Sequence, residues 1–143
     1  MMRLKEILNN KGGQPVIIPE ESTVGAAIRL MNQHRVGSVM VQGPNGEPIG
    51  ILTERDIVRL YAQGETDFET MLVKDWMTTD MTTGQPDDSV SEVLAIMTVK
   101  RFRHLPVLEE ARMVGVVSLG DLVKAQLEEI AFEAKVLREY ISS

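Results

Sequence analysis

The chain has 143 residues, 43% hydrophobic and 25% charged, the size and composition of a globular protein able to bury a substantial core. It contains no cysteine, which excludes a disulfide framework, a thiolate zinc site and a cysteine nucleophile, and which fits a reducing compartment. A net charge of −6 argues against general nucleic-acid binding; with no signal-like start and no run of about 18 apolar residues, the expectation is a cytoplasmic protein without a membrane partner.

The sequence is written twice. Thr23 to Met31 overlies Ser89 to Met97 at an offset of 66, and Arg35 then falls on Arg101 and Val41 on Val107. After a one-residue slip, Gly50 to Val58 overlies Gly115 to Val123 at an offset of 65.

In chain order, a helical lead-in is followed by a turn at Gly12-Gly13 and a short strand at Val16 to Ile18. Val24, Ala27, Ile28 and Met31 repeat at helical spacing. A hairpin follows, Val36 to Val41 and Ile49 to Leu52, with Asn45-Gly46 supplying the positive φ angles of a tight turn. A second helix begins at Thr53. Residues 63 to 75, with Gly64, Glu65 and Asp67, read as a connector, and Asp75-Trp76-Met77-Thr78 announces the second unit.

That unit opens with a short strand around Thr82 to Thr83. Its first helix carries Val90, Val93, Leu94 and Met97, and Ser89 with Glu92 is a capping-box pattern beside a further candidate cap, Asp88. The hairpin runs Leu105 to Leu108 and Met113 to Val117; Pro106 calls for an edge or a place where no amide is needed. The last helix begins at Ser118 and continues with Val123, Leu127, Ile130, Ala134, Leu137 and Ile141 in a heptad seam that needs its own domain, a second copy or another protein to cover it. The fold class is mixed α/β (α+β), ordered β-α-β-β-α twice. The first unit takes residues 1–62, the connector 63–75, the second unit 76–127 and a helical extension 128–143.

The element of interest is Gly-x-x-Thr/Ser-x-x-Asp, present as Gly50, Thr53, Asp56 and as Gly115, Ser118, Asp121. A helix start presents unpaired amides and a positive dipole end that suit a phosphate, and a carboxylate suits a ribose diol. The same residues also read as capping pairs. His34 and His104 are the only histidines, with no carboxylate at metal-ligand spacing, so no metal is expected. No Walker, nucleophile-elbow or paired-carboxylate pattern occurs, so no catalytic residue is assigned. Lys100 to His104 reads as a solvated strand lead-in with only Phe102 for stacking, and nucleic acid is not an expected partner.

Gly50 to Val58 and Arg103-His104-Leu105-Pro106-Val107 resemble signature stretches of cystathionine-β-synthase-type (CBS) domains, and the resemblance spans about Ile7 to Leu127. It implies a pseudo-twofold pair of units, a regulatory role without catalysis, homodimerisation, and two clefts for AMP, ADP, ATP, NAD(H) or S-adenosylmethionine. By motif, the first cleft would use Thr53 and Arg55 on phosphate and Asp56 on ribose, lined by Thr82, Thr83, Arg103, His104 and Pro106. The second would use Ser118 and Asp121 with Val16, Ile17, Ser38 and Val39. Arg55 is replaced by Gly120 in the second copy, and Arg103-His104 by Gly37-Ser38 in the first, so the clefts are expected to be unequal. The alternative is a ligand-free dimerisation or partner-recruiting module.

Overall fold

The computed structural model describes residues 1–11 and 15–142, so the expected turn at Gly12-Gly13 lies outside the described residues. The element order is α1 (Leu4–Lys11), β1 (Ile17–Pro19), α2 (Val24–His34), β2 (Ser38–Gln42), β3 (Pro48–Thr53), α3 (Glu54–Ala62), α4 (Val73–Trp76), α5 (Val90–Lys100), β4 (His104–Glu109), β5 (Arg112–Ser118) and α6 (Leu119–Ser142). Two compact units result. One holds Gln14–Thr82 with Glu110–Val114; the other holds Met1–Gly13, Thr83–Glu109 and Gly115–Ser143.

In the unit of the first repeat, β1 pairs parallel with β2, and β2 antiparallel with β3. Thr23 caps α2 by accepting from the Ala26 amide at 3.0 Å, and α2 lays Val24, Ala27 and Met31 against Ile18, Val39, Val41 and Leu52. The hairpin turn is longer than a two-residue Asn-Gly turn. Pro44 occupies the second position of a turn in which the Gly46 amide donates to the Gly43 carbonyl at 3.1 Å, and of the expected pair Gly46 alone has positive φ, +83°.

The segment read as a connector belongs to this core. Val73 is fully buried, the Val24 amide donates to the Met71 carbonyl at 2.7 Å, and the Val73 amide to the Ser22 carbonyl at 2.8 Å. Arg29 pairs with Glu69 across the same junction, and that hydrogen bond holds the Glu69 carboxyl below the usual carboxylate range. Composition alone could not show this, because polar residues flank the few apolar ones that dock.

In the unit of the second repeat the lead-in is α1. Leu4 and Ile7 are buried with Val90, Val93, Met97, Leu105, Val107, Val117 and Leu122, and the Leu4 amide donates to the Asp88 carbonyl at 3.0 Å. The two lead-ins dock alike: Leu72 bridges Thr23, and Arg3 bridges Ser89, the repeat equivalent of Thr23. Residues 1–11, first in the chain, thus complete the second repeat, and residues 72–77 complete the first.

The two sheets differ, and Pro106 explains the difference. In the first repeat the Met40 amide donates to the Val16 carbonyl at 2.9 Å. Pro106 is the equivalent of Met40 and has no amide to offer Thr82, so the parallel ladder stops at a single bridge, Gly84 with Val107, and the strand expected at Thr82 to Thr83 does not form. Ser89 caps α5 as expected, accepting from the Glu92 amide at 3.4 Å as one arm of the box, while its hydroxyl lies 2.9 Å from that of Ser91. Asp88, the further candidate cap, is corrected: it accepts instead from the Gln85 amide at 2.8 Å.

The β4–β5 turn falls on Glu110 and Ala111, both left-handed at φ 51° and 64°, where a two-residue hairpin favours Asn-Gly. Each non-glycine residue there costs about 1 kcal/mol. Replacing the pair by Asn-Gly is expected to raise the melting temperature by about 3 °C, measured by calorimetry; no change would mean the turn relaxes without strain.

Candidate functional site

Each repeat ends its hairpin in the motif singled out from the sequence, and both copies fold alike. The Thr53 amide donates to Asp56 Oδ2 at 2.9 Å and the Asp56 amide to Thr53 Oγ1 at 3.2 Å. In the second copy the Ser118 amide donates to Asp121 Oδ2 at 2.9 Å and the Asp121 amide to Ser118 Oγ at 3.1 Å. Both pairs are therefore closed capping boxes. The next amide is also used: Glu54 donates to the Gly37 carbonyl at 3.0 Å, and Leu119 to the Arg103 carbonyl at 2.8 Å.

These bonds correct one expectation. The helix starts do not present a full set of unpaired amides, since the first and third positions of each first turn are engaged. Recognition of an anion at α3 would then fall on the Thr53 hydroxyl, the dipole and the Arg55 side chain, which is exposed. A carboxylate has acceptor capacity on both oxygens, and the box uses Oδ2 of Asp56.

The motif glycine has a separate cause. A Cβ at Gly50 would stand 3.0 Å from the Thr78 carbonyl oxygen and closer still to the Met77 side chain. Ile51 and Thr78 exchange both backbone bonds, at 3.0 and 2.9 Å, so that segment cannot easily retreat. At Gly115 the Cβ would run into Leu8. The glycines make room for the lead-ins.

Of the sequence-predicted residues, the first-repeat unit gathers Val16, Ile17, Ser38, Val39, Thr53, Arg55, Asp56 and Thr82. Within it Ser38 pairs with Thr53 and Ile17 with Met40, so residues expected on separate clefts lie on adjoining strands; Ser38 is buried and Arg55 exposed. The second-repeat unit gathers Thr83, Arg103, His104, Pro106, Ser118 and Asp121. There Arg103 and Thr83 are exposed, Pro106 is buried, and His104 begins β4.

A cavity of about 390 Å³ in the first-repeat unit takes in Ile17, Met40, Gln42, Asn45, Glu47 and Arg112 among its lining. Of the predicted site residues it includes Ile17 alone. Its cation was missed because Arg112 arrives from the β4–β5 hairpin, far along the chain.

A family model described as the CBS domain matches residues 4–63 and 73–128. The chain belongs to the CBS-domain family. The fold class expected for a tandem CBS pair is the one found, two CBS units with small sheets and a long C-terminal helix. A mitochondrial CBS domain-containing protein of Arabidopsis thaliana is 34% identical over 147 residues, covering 96% of this chain and 71% of its own length. Among solved structures, a CBS-domain-containing protein from Agrobacterium tumefaciens is 34% identical, with a TM-score of 0.82 over 87% of this chain and 92% of its own. A CBS domain protein from Pyrobaculum aerophilum, complexed with AMP, is 26% identical with a TM-score of 0.77, over 92% of this chain and 99% of its own. Among the described residues no helix is long and apolar enough to cross a membrane.

Two outcomes follow for the CBS motifs without any ligand. Gly50→Ala and Gly115→Ala should each cost about 1–3 kcal/mol through overpacking, read by urea unfolding; wild-type midpoints would show that the lead-ins shift freely. Asp56→Ala and Asp121→Ala should each cost about 1 kcal/mol as lost caps, and equal stability to the parent would remove the boxes as structural elements.

Proposed function

We propose that this CBS pair is a cytoplasmic, homodimeric regulatory module that binds an adenine nucleotide and performs no chemistry of its own. The site is the first-repeat motif, with Thr53 and Arg55 on phosphate and Asp56 on ribose. The observation that supports it most is the likeness to the AMP-complexed Pyrobaculum protein over nearly the whole chain. The difference between copies supports the choice of motif: Arg55 adds a cation at the start of α3, where α6 has Gly120. Because the caps already engage backbone amides, that guanidinium carries the discrimination between nucleotide and nucleoside.

As a regulatory device, the nucleotide shifts the module toward whichever arrangement it binds better, by no more than its differential affinity for the two. A thermal-shift screen over AMP, ADP, ATP, NAD, NADH and S-adenosylmethionine selects the ligand, since one at 100 times its Kd adds about 2.7 kcal/mol. A second reading, a ligand-free dimerisation module, draws on the exposed apolar residues of α6; it predicts self-association with no thermal shift.

Titration calorimetry separates the two roles in the motif. Arg55→Ala removes a charge-assisted bond of about 1.5–3 kcal/mol, roughly a 10- to 150-fold loss for AMP, with adenosine unaffected. Asp56→Ala weakens AMP and adenosine alike, and Asp121→Ala has a smaller effect on phosphate-bearing ligands. Equal losses from Asp56→Ala and Asp121→Ala with none from Arg55→Ala would refute the assignment.

A further inference from the structure

Helix α6 is 24 residues long, and its buried residues, Leu122 and Ala125, lie in its first two turns. The seam expected to need covering is not covered by this chain: Leu127 is 62% exposed, Ile130 55%, Leu137 59% and Ile141 75%. Val123, at its start, is 40% exposed, so the inward stripe is Leu122 and Ala125, one face away from the seam. Its own domain is thereby removed from the three candidate partners, and a second copy or another protein remains.

Charges beside the seam discriminate further. With Val123, Ile130 and Leu137 at the d positions and Leu127, Ala134 and Ile141 at the a positions, Lys124, Ala131 and Arg138 occupy e, and Gln126, Glu133 and Tyr140 occupy g. In a parallel coil each g residue faces the e residue five positions on in the partner, which sets Glu133 against the partner's Arg138, twice by symmetry. In an antiparallel coil e faces e and g faces g. With Val123 opposite the partner's Ile141, Lys124 then meets the partner's Arg138, and Glu133 meets the partner's Glu133. The Glu133–Arg138 flank is complementary in the parallel coil, whereas both charged flanks are like-signed in this antiparallel one.

We infer that α6 pairs with the α6 of a second copy in a parallel, in-register coil, with Glu133 and the partner's Arg138 setting its direction. Both residues are exposed in the single chain and available to such a partner. The inference rests on the homodimer proposed above and adds its orientation and its contact.

Sedimentation equilibrium of the full chain and its variants tests it. Arg138→Glu turns two attractive flanks repulsive in the parallel coil and weakens association about tenfold; adding Glu133→Arg restores it. In an antiparallel coil Arg138→Glu would instead strengthen association, by facing Lys124. Direction is read independently by Ile141→Cys, a single thiol in a chain that has none. Parallel copies place the two thiols together, and oxidation at low protein concentration gives a disulfide-linked dimer. A dimer that ignores Arg138→Glu, is strengthened by it, or fails to crosslink at position 141 overturns the parallel seam while leaving the dimer standing. A chain monomeric at all concentrations overturns both. Melting curves confirm that each variant remains folded.

Discussion

Each hairpin in this protein has a backbone position with no room for a Cβ, and the space is filled by a segment that the chain delivers from outside the repeat. Met77 and Thr78 lie over Gly50, and Leu8 lies over Gly115. Around these points the same set of bonds recurs. The residue capping the first helix of each repeat, Thr23 or Ser89, bridges the incoming segment, and a fully buried residue, Val73 or Leu4, follows it into the core. The cores, hairpin ends and motif geometry all depend on this docking, because without it Gly50 and Gly115 would border empty space and the apolar faces of α2 and α5 would be partly uncovered.

The capping boxes commit polar atoms of the motif to the helix start. One carboxylate oxygen of Asp56 holds the Thr53 amide, and the Thr53 hydroxyl accepts from the Asp56 amide. The helix start is therefore pre-ordered, with its polar groups already oriented, which would lower the ordering cost for a ligand bound there. The copy at Ser118 and Asp121 keeps the same ordered start, with Gly120 where the first copy has Arg55.

Much of this was legible in the residues. The offset of 65 sets Glu54 on Leu119 and the offset of 66 sets Gly37 on Arg103; both helix starts donate to these equivalent carbonyls. The helical spacing of Val24, Ala27 and Met31 and of Val90, Val93 and Met97 marks the buried faces. What the pattern could not convey was destination. Periodicity says that α1 has an apolar face but not that its partner lies about ninety residues on, at Val90 and Val93. Local turn chemistry also misled: Asn45-Gly46 draws attention to the hairpin that needs one positive φ, while Glu110-Ala111, which carries no turn signal, supplies two. The missing strand at Thr82 was visible in principle, since Pro106 stands where its twin Met40 donates.

The exchange of lead-ins also orders events in time. On a ribosome, α1 is made before β1, yet the residues that receive it, Val90 to Ala125, follow after on the order of ten seconds of synthesis. An eight-residue helix does not hold its shape alone in water. Helix α1 must therefore wait as coil while the first repeat, completed by Val73, is already able to close. Assembly of the two repeats runs from the middle outward, and α1 is among the last elements to find a place.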